Sequence, residues 1–267
     1  IYTDKEGGLW VGTYYGGVNY APPHRGTIIG YSHSDYKNSV GGNIISCFAE
    51  DSSGNIWIGT DDGGLSLFDP QKKTFRNYLP DKTRNSISYH NIHALCIDNE
   101  KLWIGTYSGG LNILDLQTNH FKHYTSRSAD TYTLYGNSVY SIYKENENIW
   151  IGTMEGICLY NRENDNFLRI KEVGTTIIDI ISDPEGFVWF ATLGSGLFRY
   201  DNEHQSWQQY LHDPSDPTSI PNNQINTLCI DEDNRLWLGT DDGLAVFERR
   251  NNTFSKIKLD IDNAISY

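Results

Sequence analysis

Ile56-Trp57-Ile58-Gly59-Thr60, followed at once by Asp61-Asp62-Gly63-Gly64-Leu65, is the stretch on which the reading of this chain turns. The same phrase returns as Leu9-Trp10-Val11-Gly12-Thr13, Leu102-Trp103-Ile104-Gly105-Thr106, Ile149-Trp150-Ile151-Gly152-Thr153, Val188-Trp189-Phe190-Ala191-Thr192 and Leu236-Trp237-Leu238-Gly239-Thr240. Successive tryptophans lie 47, 46, 47, 39 and 48 residues apart. A period in the forties that carries only short, β-branched and aromatic runs between glycine-rich turns marks the blade of a propeller rather than a helical solenoid.

Working outward from Trp57, each repeat resolves into four strands. Ile44 to Ala49 reads as the innermost, Asp51-Ser52-Ser53-Gly54 as a turn, Asn55 to Thr60 as the second strand, Leu65 to Asp69 as the third and Phe75 to Tyr78 as the outermost. The expected fold is therefore all-β: a β-propeller of four-stranded antiparallel blades, with six repeats in one domain over residues 1–267. A four-stranded sheet cannot bury both faces alone. Trp10, Trp57, Trp103, Trp150, Trp189 and Trp237 are thus expected to fill the space between blades, almost wholly buried, while the Gly or Ala two residues on allows close approach.

At the ends, Asn263 to Tyr267 read on into Ile1-Tyr2-Thr3-Asp4 reproduces the phase of Asn223 to Asp231, with 14 positions from Asn to Trp in both. Both termini cut the same strand, which we read as the mark of an excerpt from a longer array.

Net charge is −13 over 267 residues. That balance disfavours nucleic acid, whose phosphates need a basic patch, and adsorption to an anionic membrane; a membrane is expected only through other parts of a longer chain. Cys47, Cys96, Cys158 and Cys229 fall in different repeats and are expected to be buried thiols rather than a disulfide framework. No metal or cofactor motif is present. His90 and His93, like His120 and His123, are three apart and point to opposite faces of a strand, and Asp231-Glu232-Asp233-Asn234 lacks the glycine and distal Glu of a calcium loop. The adjacent pairs Asp61/Asp62 and Asp241/Asp242 splay apart in a turn, whereas glycosidase carboxylates face each other across about 5–10 Å. No catalytic residue is expected.

The pattern Ile-x-x-[Leu/Ile]-x-x-Asp…Gly-x-[Leu/Ile]-Trp-Ile-Gly-Thr-x-x-Gly-Gly-Leu runs from Ile45 to Leu65 and, more loosely, from Ile92 to Leu111 and from Ile225 to Leu244. Together with Asn85-Ser86-Ile87 and Thr218-Ser219-Ile220 it resembles the two-component regulator propeller repeat. The resemblance implies the periplasmic sensor region of a hybrid histidine kinase/response regulator of glycan-degrading gut bacteria, dimeric at full length, in which tandem seven-bladed propellers control polysaccharide-utilisation genes. This chain departs from it in having six repeats, no kinase or membrane segment and a short fifth repeat. A protein-binding scaffold of the WD40 kind is the rival reading, although the Gly-His and Trp-Asp pairs of that family are absent. A propeller hydrolase or lyase is a third. Sialidase Asp boxes set their Asp two residues before the turn Gly, whereas Asp51 stands three before Gly54.

Chain direction places the loops before the inner strands and after the tryptophan strands on one side of each blade. Those loops carry Tyr14, Tyr15, Asp61, Asp62, Tyr89, His90, Tyr107, Tyr135, Asn137, Asn222, Asp241 and Asp242. Flat rings beside short polar groups suit a sugar, so an oligosaccharide is the expected ligand across this face. The carboxylates select a neutral glycan unless Arg84, Arg127 or His90 offset them.

Overall fold

The computed structural model describes residues 1–23, 26–35, 38–81, 83 and 85–257. Every element among them is a β-strand, and the 24 strands form six four-stranded antiparallel sheets, each built from strands consecutive in the chain. The fold is the all-β propeller that the repeats demand. Arg84 and the segment Asn263–Tyr267, on which two sequence expectations rest, lie outside the described residues. The chain divides into two compact units, residues 1–154 with 158–169, holding four sheets, and residues 155–157 with those from 170 onward, holding two.

The second sheet follows the sequence within one residue at each boundary: Ile45–Glu50, Ile56–Thr60, Leu65–Asp69 and Thr74–Tyr78. The short fifth repeat loses no strand. Six residues separate Ile170 from Ile177, where fourteen separate Tyr124 from Val139, so the deletion falls on a surface connection.

Trp10, Trp57, Trp103, Trp150 and Trp189 are at most 2% exposed. Each packs on the following sheet where both lie in one unit: Trp10 against Phe68 at 5.7 Å, Trp103 against Tyr160 at 4.8 Å and Trp189 against Phe247 at 4.8 Å between ring centroids. Trp237 departs from the expectation and is only half-buried. No sheet follows it among the described residues, and its ring is covered instead by the Arg235 guanidinium at 5.5 Å. In the second and third repeats the glycine two residues after the tryptophan is required by approach. A Cβ at Gly59 would come within 2.8 Å of Ile92 Cγ2, and one at Gly105 within 2.7 Å of Val139 Cγ1, both on the next sheet.

The threonine of each repeat builds the turn after it. Thr60 Oγ1 donates to Gly64 O at 2.9 Å and accepts from Gly63 N at 2.9 Å, and Thr106 and Thr192 repeat both bonds. The second glycine of the turn sits at φ 76° in Gly64 and Gly110, where a Cβ would strike the carbonyl of Tyr78 or Tyr124. None of the four cysteines forms a disulfide, but their burial is uneven: Cys158 is buried, Cys47 and Cys96 are half-buried, and Cys229 is exposed. Cys229 departs from the expected buried thiol for the reason Trp237 does, since the two are paired across neighbouring strands of the last sheet.

Candidate functional site

In the second to sixth blades, the residue after the repeated Thr is tied back to the residue before the first strand: Asp61 N donates to Ile44 O at 2.9 Å, Tyr107 N to Asn91 O at 3.1 Å and Asp241 N to Gln224 O at 3.3 Å, for example. Neighbouring blades are stitched on the same side. Gly17 N donates to Asn43 O, Gly64 N to His90 O and Gly110 N to Asn137 O in the first unit, and Gly196 N to Asn223 O in the second. The loops that carry the expected ligand residues therefore do share a face within each unit.

One further device shapes that face. Five first strands carry a β-bulge at their second residue: Ile45 pairs with Thr60 but Cys47 with Gly59, and Ile92 with Thr106 but Ala94 with Gly105, with the same slip after Val139, Ile177 and Ile225. A bulge adds an unpaired residue and re-aims its side chain. The bulged residues are Ser46, His93 and Tyr140 in the first unit and Ile178 and Asn226 in the second. The residue before each is Ile or Val, whereas these five all differ.

In the first unit the bulge gathers a cluster. His93 Nε2 lies 3.1 Å from Asp61 Oδ1, and the His93 ring stands 4.7 Å from that of Tyr140 and 5.7 Å from that of Tyr107. Asp61 Oδ1 is buried and accepts no hydrogen bond among the described residues, because the imidazole approaches at ion-pair distance without aiming an N–H at it. Tyr14 and Tyr15, both about 70% exposed, meet edge to face at 4.5 Å. A hydrogen bond with Tyr15 and, more weakly, the charge of Asp61 raise the Tyr14 hydroxyl above its ordinary pKa. Tyr15 has φ 76°, a left-handed conformation that costs a non-glycine residue about 1 kcal/mol or more.

The other expected residues are placed differently. Asp62 caps the connection before its blade's first strand, accepting from Asn43 N and Ile44 N at 3.2 Å each, and Tyr89 stacks on His90 at 4.7 Å. Tyr135 packs on the hydrophobic cluster around Trp103 and Phe167 with Arg169 5.5 Å over its ring, and Asn137 Oδ1 accepts from Ser126 N at 2.7 Å. In the second unit, Asn222 Nδ2 donates to Asp242 Oδ2 at 2.7 Å and Asn226 Nδ2 to Asp241 Oδ1 at 2.8 Å, a closed polar network. The sequence offers His93 only as a rejected metal ligand and does not single out Tyr140. The position after the leading Ile or Val differs in all five strands, but so does the one after it, so the pattern alone does not mark the bulge. No group of three or more metal-ligating side chains occurs among the described residues.

Asp231 caps a turn, with its carboxylate accepting from Asp233 N, Arg235 N and the Trp237 indole. The indole bond, with those from Arg235, holds its pKa at about 2. The same Asp-to-indole bond six residues on recurs in Asp4–Trp10, Asp51–Trp57 and Asp183–Trp189 at 2.8–3.1 Å.

The family model described as Two component regulator propeller matches residues 39–62 and 219–242. Two segments of the chain, in the second and sixth repeats, thus match the two-component regulator propeller repeat. It is 38% identical over 77 residues to Histidine kinase P4 of Formosa agariphila, a match covering 29% of this chain and 6% of the kinase. Among solved structures it resembles the extracellular domain of a protein described as a hybrid two component system, BT4673 of B. thetaiotaomicron. There the TM-score is 0.77 at 21% identity, over 96% of this chain and 36% of that one. It also resembles PorZ, a surface component of the type-IX secretion system of Porphyromonas gingivalis, with a TM-score of 0.67 at 19% identity, over 91% of this chain and 37% of that one. At these identities the structural likeness establishes the propeller fold. The chain spans little more than a third of either structure and a small fraction of the kinase.

Proposed function

We propose that this chain is part of the periplasmic sensor region of a hybrid two-component histidine kinase, that it binds a neutral oligosaccharide, and that the loop face of the first unit holds the sugar. The observation that carries the reading is the cluster of Asp61, His93, Tyr107 and Tyr140 on a chain with two-component regulator propeller repeats. Three aromatic rings offer apolar faces to the C–H side of a pyranose, and the exposed part of the Asp61 carboxylate, beside His93, offers an acceptor to a hydroxyl. Binding is expected to pass to a kinase through the rest of a dimeric full-length protein and so to regulate transcription. This segment contributes no catalysis.

The test is a glycan array followed by calorimetry. Micromolar affinity, equivalent to about −8 kcal/mol, is expected for a neutral oligosaccharide, and Tyr107→Ala or Asp61→Ala should weaken it about tenfold or more. Binding left unchanged by both substitutions would move the site off this face, and release of reducing ends would make the chain an enzyme. A related expectation concerns Tyr15: Tyr15→Gly should raise stability in thermal denaturation by about 0.5–1 kcal/mol through relief of the left-handed strain, while weakening the sugar.

A further inference from the structure

The side of the sheets opposite the loop face carries a second site. Where the turn between the first two strands is long, the leading Asp receives the indole N–H of the tryptophan and, on the same Oδ2, a second donor. For Asp51 that donor is Asn55 Nδ2 at 3.1 Å, for Asp231 it is Arg235 Nε at 2.7 Å, and for Asp183 it is Arg249 Nη1 at 2.8 Å, reaching over from the next sheet. Asp98, on a short turn, likewise receives Arg162 Nη1 of the next sheet at 2.7 Å. Arg162 and Arg249 occupy one position in the repeat, directly after the third strand.

Asp4 is the exception. Its Oδ2 accepts from Trp10 Nε1 at 2.8 Å and its Oδ1 from Gly8 N at 2.6 Å, but no described side chain supplies the second donor. The local position that is Asn55 or Arg235 elsewhere is Gly8, and the position that is Arg162 or Arg249 is Pro70. Neither has a donor to offer. In their place a cavity of about 710 Å³ opens between the first two sheets, lined by Asp4, Trp10, Tyr20, Tyr31, Phe68 and Pro70, against about 360 Å³ for the corresponding groove into which Arg162 inserts. Among the described residues the charges around it are mostly negative: Asp4, Glu6, Glu50 and Asp69 against Lys72 and Lys73, with the Lys72 ammonium held by Asp69 at 2.6 Å.

We propose that this groove binds the arginine side chain of a peptide, its guanidinium donating to Asp4 Oδ2 where Arg249 donates to Asp183 and Arg162 to Asp98. The molecule displays the occupant twice within itself. The aromatic lining suits a guanidinium as well, as the second unit shows with Arg199 lying 4.3 Å over Phe187 and 5.5 Å over Trp189. A cavity of this size accommodates the flanking peptide in addition to the side chain.

The probe is acetyl-Gly-Arg-Gly-amide, titrated calorimetrically into the full 267-residue chain and compared with the same peptide carrying citrulline, which keeps the shape and removes the charge. The arginine peptide is expected to bind at least tenfold more tightly. Pro70→Arg, which restores the internal arginine, should abolish that binding without lowering the thermal midpoint. Asp4→Asn keeps an acceptor for the Trp10 indole and should erase the advantage over citrulline. Equal binding of the two peptides, no saturable binding of either, or a preference for arginine that survives in Pro70→Arg or in Asp4→Asn would overturn the assignment.

Discussion

Trp189→Ala is expected to cost about 3–5 kcal/mol of unfolding free energy, measured by chemical denaturation, and to be the most damaging of the tryptophan substitutions in the second unit. The indole is fully buried, lies 4.8 Å edge-on to Phe247 and 5.8 Å from Tyr210, and its N–H is bonded to the buried Asp183 at 2.8 Å. Truncation removes the largest side chain between two sheets and leaves a buried carboxylate with one fewer donor. Trp189→Phe separates the two effects, because it keeps most of the packing and removes the N–H; it should cost about 1–3 kcal/mol. Trp237→Ala supplies the contrast. That ring is half-buried, and its loss should cost about half as much as that of Trp189. Equal losses at the two positions would mean that packing between sheets is not what these tryptophans contribute.

The same comparison shows what the sequence made legible. Five repeats of Trp-x-Gly-Thr and one of Trp-Phe-Ala-Thr place the strands of the second sheet within a residue, because the tryptophan, the small residue after it and the turn glycines each meet a steric demand that a period of 46 or 47 exposes. Trp237 and Cys229 escaped, since their exposure depends on which sheet comes next and not on the repeat they sit in. His93 and Tyr140 escaped for another reason. A strict alternation sends His93 to the face opposite its neighbours, and only the bulge at that residue turns it toward Asp61. Tyr135 and Asn137 sit on the expected loop by chain direction, but Arg169 over the ring and the Ser126 N–H on the amide oxygen engage them within their own blade. Direction along a chain fixes the side of a sheet on which a residue lies. It leaves open whether local partners have already taken its polar atoms.

Asp98 is where turn length changes the chemistry, and it carries the second large expected effect. The third and fourth sheets join their first two strands by two-residue turns, with Asn99 at φ 54° and Asn146 at φ 52°. The acid therefore stands five rather than six residues before the tryptophan, and it cannot reach the indole: Trp103 Nε1 is buried without a hydrogen bond among the described residues. Asp98, 2% exposed, is instead clamped by Lys144 Nζ and Arg162 Nη1 at 2.7 Å each. Burial by itself would raise its pKa, but the hydrogen bonds and charges of Arg162 and then Lys144 outweigh it and hold the carboxyl below its ordinary 3.8. A depressed folded pKa makes a contribution that is complete above the unfolded value and is lost as pH falls through the folded one. Asp98→Ala at neutral pH leaves two cations without their buried partner, and since both are about one third exposed and rehydrate in part, the cost should be about 2–3 kcal/mol, at or below the lower end for a broken buried pair. In urea denaturation run at successive pH values, the gap between wild type and Asp98→Ala should be constant above about pH 5 and narrow below the ordinary carboxyl value as Asp98 takes up its proton in the folded protein. A gap that stays constant into acid would show that Asp98 acts by packing alone. One that widens would show that burial, and not the two cations, sets the charge of this side chain.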